Sequence, residues 1–262
     1  MAPIKVVVNG ATGKMGMETV AAVSAEDGLE LAGAVCQRER GPVLTLSGGA
    51  NVPLSTNLAD MLEQTRPDVL VDFTNATACM EAAPAAAGRS IHLVLGASGL
   101  TEEHLNQLDA MANDGNIGVI VAPNFALGAV VLKRLLEQAA PYFEYVDIIE
   151  SHHEAKIDAP SGFAMALAKA IGDQRKFQRN VPERENLPGT RGGDYNGVSI
   201  HSIRMPGRSA HHEVILGTAG QTLTLRHDTL GRDCYMAGVI RCIKDVVTRK
   251  GLVVGLENIL GL

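Results

Sequence analysis

The sequence predicts an α/β protein in which a doubly wound sheet is followed by an α+β domain with a mixed sheet. Up to about Asn124, short β-branched runs alternate with alanine-rich helical segments, which is typical of a parallel sheet covered by helices on both faces. A glycine-rich turn follows the first of these runs directly. Beyond Asn124, strand-like runs succeed one another with little helix between them, which favours antiparallel or mixed pairing. We therefore divide the chain into residues 1–124 with 233–262, and residues 125–232.

The elements of the first domain follow from runs of apolar residues and the segments between them. Buried parallel strands are continuous apolar runs rather than alternating patterns. We expect strands at Ile4–Gly10, Leu29–Val35, Pro67–Thr74, Ser90–Ser98 and Asn116–Pro123, and helices at about Met15–Ser24, Ala76–Ala87 and Glu102–Asn113. In such a sheet, ligands bind at the carboxyl ends of the strands.

The second domain is predicted to contain four strands and two helices, after which the chain returns to the first domain. The helices are expected near Leu127–Ala140 and from Gly162 onward, and the strands at Tyr145–His153, Val198–Met205, His211–Gly217 and Gln221–Asp228. A last amphipathic helix, roughly Tyr235–Arg249, is expected to pack back on the first domain.

Composition excludes several classes of protein. The formal net charge of -6 disfavours nucleic-acid binding as the main role. No apolar run reaches membrane-spanning length, and the start lacks the basic and apolar regions of a signal peptide. The four cysteines form no CxxC pattern, which favours reduced, buried thiols. We expect a cytoplasmic protein that binds neither nucleic acid nor membrane.

The glycine-rich turn has the spacing Gly10-x-x-Gly13-x-x-Gly16 between the first strand and the first helix. It differs from the usual G-x-G-x-x-G by one residue in the first interval, but the physical basis is the same. Glycines let the backbone approach a pyrophosphate, and the helix N-terminus supplies unpaired N–H donors. A tight strand–helix turn with no ligand is the alternative, and the position within a βαβ unit favours a Rossmann-type cofactor site.

The end of the second strand bears on the choice of cofactor. NAD sites usually place an acidic residue there to bind the ribose 2′-hydroxyl. This chain has the neutral Cys36 and Gln37, followed by Arg38 and Arg40. Arginines beside an uncharged strand end suit a 2′-phosphate, so NADPH is the expected cofactor, with NADH also possible. A solvated loop is the alternative.

The segment Ile148–Ala164, "IIESHHEAKIDAPSGFA", combines two histidines, a lysine and the start of a predicted helix. It has neither HExxH nor Cys/His zinc spacing, so we predict no metal site. Imidazole and ammonium groups can hold a carboxylate or donate a proton, and a helix N-terminus attracts anions. The segment is therefore either a pocket for a small carboxylated substrate or a helix cap at Asp158 or Ser161 beside a surface lysine.

Several motifs in their order along the chain resemble one enzyme family. They are "NGATGKMG", "VDFT", "GASGL", "APNFALG", "ESHHEAKIDAPSGFA" and "RHDT". They are similar to the 4-hydroxy-tetrahydrodipicolinate (dihydrodipicolinate) reductases of the lysine/diaminopimelate pathway, and the tail is similar to the cyanobacterial and plant-type branch. The resemblance covers nearly the whole chain. It implies a cofactor domain, a substrate-binding and tetramerisation domain, and a homotetramer. The implied reaction is the reduction of the cyclic dehydrated form of 4-hydroxy-tetrahydrodipicolinate to tetrahydrodipicolinate with NADPH or NADH.

The resemblance also implies roles for individual residues. The catalytic pair falls on His152, the proton donor and acceptor, and on Lys156. Substrate binding falls on His153, Ser161, Gly162 and Phe163. Cofactor binding falls on Gly10, Ala11, Thr12, Gly13, Lys14, Met15, Phe73, Thr74, Gly96, Ala97, Ser98, Ala122, Pro123, Asn124 and Phe125. The end of the second strand, which lacks an acid, adds Gln37 and Arg38 to the predicted cofactor site.

The chain departs from the family pattern at four positions. Ala97 and Ser98 stand in "GASG" where the family has "GTTG", Ala126 replaces a serine, and Phe163 replaces the threonine of "PSGTA". The last change keeps a backbone N–H but removes a hydroxyl donor. Two alternatives to the lysine-pathway activity therefore stay open: a paralogue that reduces another cyclic imine or carbonyl, and a non-catalytic assembly or sensor protein that keeps the fold.

Overall fold

The structure is a computed structural model that describes residues 2–262, and the chain folds into two compact units. The first unit consists of the residues up to Leu127 together with Arg232–Leu262. The second unit is Gly128–Gly231.

An eight-stranded sheet organises the first unit. Its strands are β1 Ile4–Asn9, β2 Leu29–Val35, β3 Val43–Thr45, β4 Asn51–Ser55, β5 Val69–Asp72, β6 His92–Leu95, β7 Gly118–Val121 and β13 Gly251–Val254. Their spatial order is β13-β7-β6-β5-β1-β2-β4-β3, and every pair is parallel except β3 with β4. The chain builds outward from β1 through β2 and then resumes on the other side of β1 at β5. This change of direction creates a crevice at the carboxyl ends of β1 and β5, where ligands bind in open α/β sheets.

Helices cover this sheet. They are α1 Lys14–Ala25, α2 Leu58–Thr65, α3 Ala76–Ala87, α4 Glu102–Asp114, α7 Met236–Val246 and α8 Leu256–Leu260. Side-chain caps explain where three of them begin, since Asn57, Asn75 and Thr101 each accept a backbone N–H of the first turn. Helix α7 packs on α1 and on β5, β6 and β7. The central strands are buried on both faces, which explains their unbroken apolar runs.

The second unit contains a five-stranded mixed sheet. Its strands are β8 Tyr145–His152, β9 Gly193–Tyr195, β10 Val198–Arg204, β11 Ala210–Thr218 and β12 Gln221–Thr229, in the order β12-β11-β8-β10-β9. Only the β8–β10 pair is parallel. Helices α5 Leu127–Ala139 and α6 Gly162–Gly172 contribute Leu136, Leu167 and Ile171 to the core that this sheet forms.

The predicted fold class is confirmed, and the differences concern individual elements. The hairpin β3–β4, helices α2 and α8, and strands β9 and β13 were not predicted. The last helix ends at Val246 rather than Arg249, because Thr248 and Arg249 donate to the carbonyls of Asp245 and Val246 in a turn before β13 begins. Among residues 2–262, no helix combines the length and the apolar character needed to cross a membrane.

Two buried cysteines, Cys79 and Cys242, have thiols whose pKa is raised by their surroundings. Burial, aided by the negative charge of Asp72, raises the pKa of the Cys79 thiol to about 12. Burial and the neighbouring Asp245 raise the pKa of Cys242 to about 12 as well. Both thiols therefore stay protonated at physiological pH and act as small core side chains.

Candidate active site

A cavity of about 820 Å³ opens in the first unit at the carboxyl ends of β1, β2 and β5. It lies beside the strand where the sheet order reverses. Among the residues predicted to bind a cofactor, those lining it are Gly10, Thr12, Gly13, Gln37, Arg38, Phe73 and Thr74.

The connection from β1 into α1 requires glycine at two positions, Gly10 in the turn and Gly16 in the helix. Gly10 has a φ of +78°, and a Cβ there would lie 3.0 Å from the carbonyl oxygen of Phe73. A Cβ on Gly16 would collide with the backbone of Gly10 itself. The close approach brings the start of α1 against the strand end. Since Gly13 is the N-cap and supplies no side-chain acceptor, the first backbone N–H groups of α1 are left for a ligand.

Two arginines line the cavity where β2 ends. Arg38 and Arg40 both face it, together with the neutral side chains of Cys36 and Gln37. Cys36 is 4% exposed, and its thiol donates to the carbonyl of Arg38, which fixes the start of this loop. The lining therefore supplies cations and no carboxylate at the position where an NAD site usually has an acid.

A buried carboxylate organises the wall at β5. Asp72 is fully buried and accepts hydrogen bonds from the Asn9 side-chain amide at 2.7 Å and the Thr74 hydroxyl at 2.5 Å. The Thr74 backbone N–H donates to the same carboxylate at 2.8 Å. Asp72 thus ties the ends of β1 and β5 together and holds Thr74 at the cavity edge. Asp72 is the aspartate of the sequence motif "VDFT".

The other predicted cofactor stretches follow β6 and β7, the next strands along the sheet. Gly96 lies beneath the rings of Phe73 and Phe125, whose centroids are 5.5 Å apart. A side chain at Gly96 would displace Phe73. Ala97, Ala122, Phe125 and Ala11 are buried, whereas Ser98, Pro123 and Lys14 are exposed and Met15 and Asn124 are half-buried. The unusual Ala97 belongs to the hydrophobic core of this unit.

The first unit is well suited to a dinucleotide. A glycine turn that a Cβ would fill, the amide donors of α1 and the two arginines all border one cavity of sufficient volume. These are the donors that a pyrophosphate and an adenosine ribose require.

In the second unit, His152 ends strand β8 and is held by a buried ion pair. Its Nδ1 lies 2.5 Å from Oε2 of Glu150, two residues earlier on the same face of the strand. Arg204 at the end of β10 donates to both oxygens of that carboxylate, to Oε2 at 3.0 Å and to Oε1 at 2.7 Å. Burial lowers the pKa of His152, and the hydrogen bond and charge of Glu150 oppose this effect.

Lys156 follows His152 in a turn and pairs with an acid in the segment before α6. Its Nζ lies 2.6 Å from Oδ1 of Asp158. This hydrogen bond, with a further one from the backbone of Gly162, holds the pKa of Asp158 below its usual range. A carboxylate is therefore bound between the ammonium group and the first turn of the helix. A Cβ placed on Gly162 would meet nothing within 4 Å, so the space beside it is open.

Ser161 is the N-cap of α6, as the structural alternative predicted, and it also contacts a second imidazole. Its hydroxyl accepts the Ala164 N–H at 3.2 Å and lies 3.2 Å from Nε2 of His212. The edge of Phe163 meets the His212 ring at 90°, with centroids 4.8 Å apart. Burial, together with the charge of His152, lowers the pKa of His212 to about 3, so this imidazole is neutral at physiological pH.

One predicted substrate-binding residue lies outside the buried cluster, and three residues of the cluster were not predicted from the sequence. His153 lies beyond the end of β8 and is exposed, so it does not join the buried cluster around His152. Glu150, Arg204 and His212 were not predicted. The two-residue spacing of Glu150 and His152 on a strand could have revealed the first, whereas Arg204 reaches the site only through strand pairing. In the part of the chain that the structure describes, no group of three or more His, Cys, Asp or Glu could hold a metal ion.

Comparison with known proteins identifies the family. The profile described as "Dihydrodipicolinate reductase, N-terminus" matches residues 4–125, and the corresponding C-terminus profile matches residues 128–260. The chain belongs to the dihydrodipicolinate reductase family. A 4-hydroxy-tetrahydrodipicolinate reductase of Dehalococcoides mccartyi is 45% identical over 100% of both chains. One from Syntrophomonas wolfei is 45% identical over 98% of both.

A solved structure of the same family is similar to this chain over nearly its whole length. The dipicolinate-bound dihydrodipicolinate reductase from Paenisporosarcina sp. TG-14 superposes with a TM-score of 0.88 and 38% identity, over 98% of this chain and 99% of the other. The function is the NAD(P)H-dependent reduction of 4-hydroxy-tetrahydrodipicolinate in lysine and diaminopimelate biosynthesis. No finding favours a paralogue with another substrate or a non-catalytic protein.

Proposed function

We propose that His152 exchanges the proton that balances hydride addition, and that Lys156 and the start of α6 bind the substrate's carboxylates. The observation that carries this proposal is the contact of Lys156 with Asp158 at the N-terminus of α6. It indicates that the ammonium group and this helix end can hold a carboxylate, which the dicarboxylate substrate supplies in two copies. Gly162 and Phe163 supply backbone N–H groups at the N-terminus of α6, and Ser161 caps this helix. His153 is exposed, and we propose that it contributes to substrate binding from the protein surface.

The proton inventory of the reaction requires one acid. Loss of the 4-hydroxyl group as water gives the cyclic dehydrated intermediate. The nicotinamide cofactor would supply a hydride to this intermediate when bound, and the ring must then take up one proton to become tetrahydrodipicolinate. His152 is suited to this exchange because Nδ1 is occupied by Glu150, which leaves Nε2 to meet the substrate. Lys156 neutralises the substrate's carboxylate and keeps the ring oriented during the transfer.

We further propose that NADPH is preferred to NADH, which remains usable. The support is the pair of arginines that line the cavity where β2 ends, whereas the lining carboxylate, Glu81, belongs to helix α3. Arg38 is the residue proposed to contact the adenosine ribose or its 2′-phosphate. A 2′-phosphate would gain a charge-assisted hydrogen bond there, whereas a bare diol would not.

Assembly and location complete the proposal: a cytoplasmic homotetramer, with residues 1–124 and 233–262 as the cofactor domain and 125–232 as the domain that binds substrate and oligomerises. In the second unit, the exposed apolar side chains of Ile203 and Leu223 lie on strands, and β12 is an edge strand. Light scattering should give about four times the chain mass of 27.6 kDa, and a monomer mass would contradict the tetramer.

Replacement of the two proposed catalytic residues tests their roles. His152→Gln should lower kcat by about 10²-fold or more, as expected for the loss of general acid catalysis. Lys156→Ala should also impair turnover and raise KM for the dicarboxylate. His201→Gln and Lys169→Ala are matched controls in the same unit, since the first pairs with Asp147 and the second is exposed on α6. Wild-type rates in both test variants would leave this segment with a structural role only.

A further inference from the structure

Glu150 is a fully buried carboxylate at the centre of the second unit's polar cluster. It is 0% exposed, and its two oxygens contact groups on β8 itself, on β10 and at the N-cap of α6. Oε2 meets His152, and Oε1 accepts the backbone N–H of Ser161 at 3.3 Å. Arg204 donates to both oxygens. A carboxylate with this burial is normally retained only when such partners satisfy it.

Arg204 keeps this carboxylate ionised. Burial alone raises the pKa of Glu150, but the hydrogen bonds from Arg204, Ser202 and His152 and the guanidinium charge outweigh it, so the pKa lies below its ordinary value. Arg204 also donates to the backbone carbonyl of Asp158 at 2.7 Å. One ion pair therefore links β8, β10 and the segment before α6.

An anionic acceptor at Nδ1 determines which nitrogen of His152 is available. Because Glu150 accepts from Nδ1, the proton on that nitrogen is fixed, and Nε2 is left as the nitrogen that gains or loses a proton. The negative charge also stabilises the imidazolium form. This arrangement of an acid, an imidazole and an orienting cation follows from geometry alone and does not depend on the identity of the substrate.

We propose that Glu150 is a positioning residue of the reduction: held by Arg204, it fixes the Nδ1–H of His152, so that the proton taken up from solvent and passed to the substrate is carried on Nε2. The inference rests on the proposed role of His152 as the proton donor. It adds an orienting acid, Glu150, and its cation, Arg204, to the residues on which turnover depends.

The groups that face His152 fix the sign of the expected pH effect. Glu150 on β8 favours the protonated imidazole, whereas Lys156 in the following turn and Arg204 on β10 disfavour it. His212 on β11 packs against it edge to face, with centroids 5.3 Å apart, and is neutral. If protonated His152 is the active form, activity falls as pH rises through its pKa. Removing the charge of Glu150 must then move this fall to lower pH.

The test is the pH profile of kcat in wild type, Glu150→Gln and Glu150→Asp, together with an NMR titration of His152. In Glu150→Gln we expect the midpoint to fall by about 1–2 pH units, a shift typical of one lost neighbouring charge, and kcat at neutral pH to drop about tenfold or more. Glu150→Asp keeps the charge but withdraws it by one methylene. It should restore the wild-type midpoint while kcat stays low.

A matched control removes another acid from the same strand. Asp147 is on β8 and lies 3.6 Å from a different histidine, His201, so Asp147→Asn should leave the profile unchanged. Wild-type kcat and midpoint in Glu150→Gln would overturn the inference, and so would a loss of thermal stability with an unchanged midpoint. If Glu150→Gln does not fold, wild-type kcat in Glu150→Asp would overturn it. A fully active His152→Gln would instead refute the proposed role of His152 itself.

Discussion

Replacing Phe163 with threonine should weaken the fold of the second unit and strengthen substrate binding. Phe163 stands where the family has a threonine, and its side chain is half-buried against the core and the ring of His212. The substitution removes that ring contact and introduces a hydroxyl beside the N-terminus of α6. The two effects act on different measurable quantities, so they can be separated.

The loss of stability follows from the packing. An edge-to-face ring pair contributes about 0.5–1.5 kcal/mol beyond its buried area. Truncating a fully buried Phe to Ala costs about 3–5 kcal/mol. Because Phe163 is half-buried and threonine keeps its Cβ, we expect the free energy of unfolding to fall by about 1–3 kcal/mol, as measured by urea denaturation.

The gain in substrate binding follows from the hydroxyl donor that threonine supplies and Phe163 lacks. A hydrogen bond to a charged group contributes about 1.5–3 kcal/mol, or roughly ten- to a hundredfold in affinity. Phe163→Thr should therefore lower KM for 4-hydroxy-tetrahydrodipicolinate by about tenfold, with little change in KM for NADPH. The assay is the steady-state oxidation of NADPH with freshly generated substrate.

Phe163→Leu is the matched control, because leucine fills part of the same space without a hydroxyl. It should lose stability without gaining affinity. An unchanged or higher KM in a folded Phe163→Thr variant would refute the reasoning, as would an equal improvement in Phe163→Leu. Either result would mean that this side chain serves the core and does not meet the substrate.

Two further predictions concern the cofactor and acid stability. Arg38→Ala should raise Kd for NADPH about tenfold or more while changing Kd for NADH little, as measured by fluorescence titration; an NADH preference unaffected by the substitution would count against the assignment. The folded-state pKa of His212, about 3, is far below its unfolded value of about 6.5, so the unfolded chain binds more protons. The contribution of His212 to stability is complete above about pH 6.5 and is lost as pH falls toward 3. In His212→Gln, the free energy of unfolding should therefore depend less steeply on pH over that range. An unchanged pH dependence of the free energy of unfolding would contradict the assignment.

The fold class could be predicted because strong local signals agreed with the tertiary structure. Continuous apolar runs became the central strands β1, β5, β6 and β7, and the glycine turn became the cavity wall. Strand β13 was missed because "GLVVG" is short and closely follows a segment whose periodicity predicts a helix up to about Arg249. Its place at the sheet edge beside β7 depends on a pairing between segments far apart in the sequence.

The same distinction applies to the site. His152, Lys156 and Gly162 belong to one local motif, so the sequence could single them out together. Arg204 reaches Glu150 only because β10 pairs in register with β8, which sets Arg204 opposite His152. His212 likewise arrives through β11, the other neighbour of β8. Residues of one local motif can be identified from a single sequence. Partners such as Arg204 and His212 can be identified only when the pairing of the strands is known.

The most direct test of the account compares wild type with His152→Gln for NADPH oxidation in the presence of freshly generated 4-hydroxy-tetrahydrodipicolinate. We predict clear turnover in wild type, and in the variant a kcat lower by about 10²-fold or more with an unchanged Kd for NADPH. The unchanged cofactor affinity would show that the first unit is intact. Absence of turnover in wild type, or equal kcat in both proteins, would contradict the account.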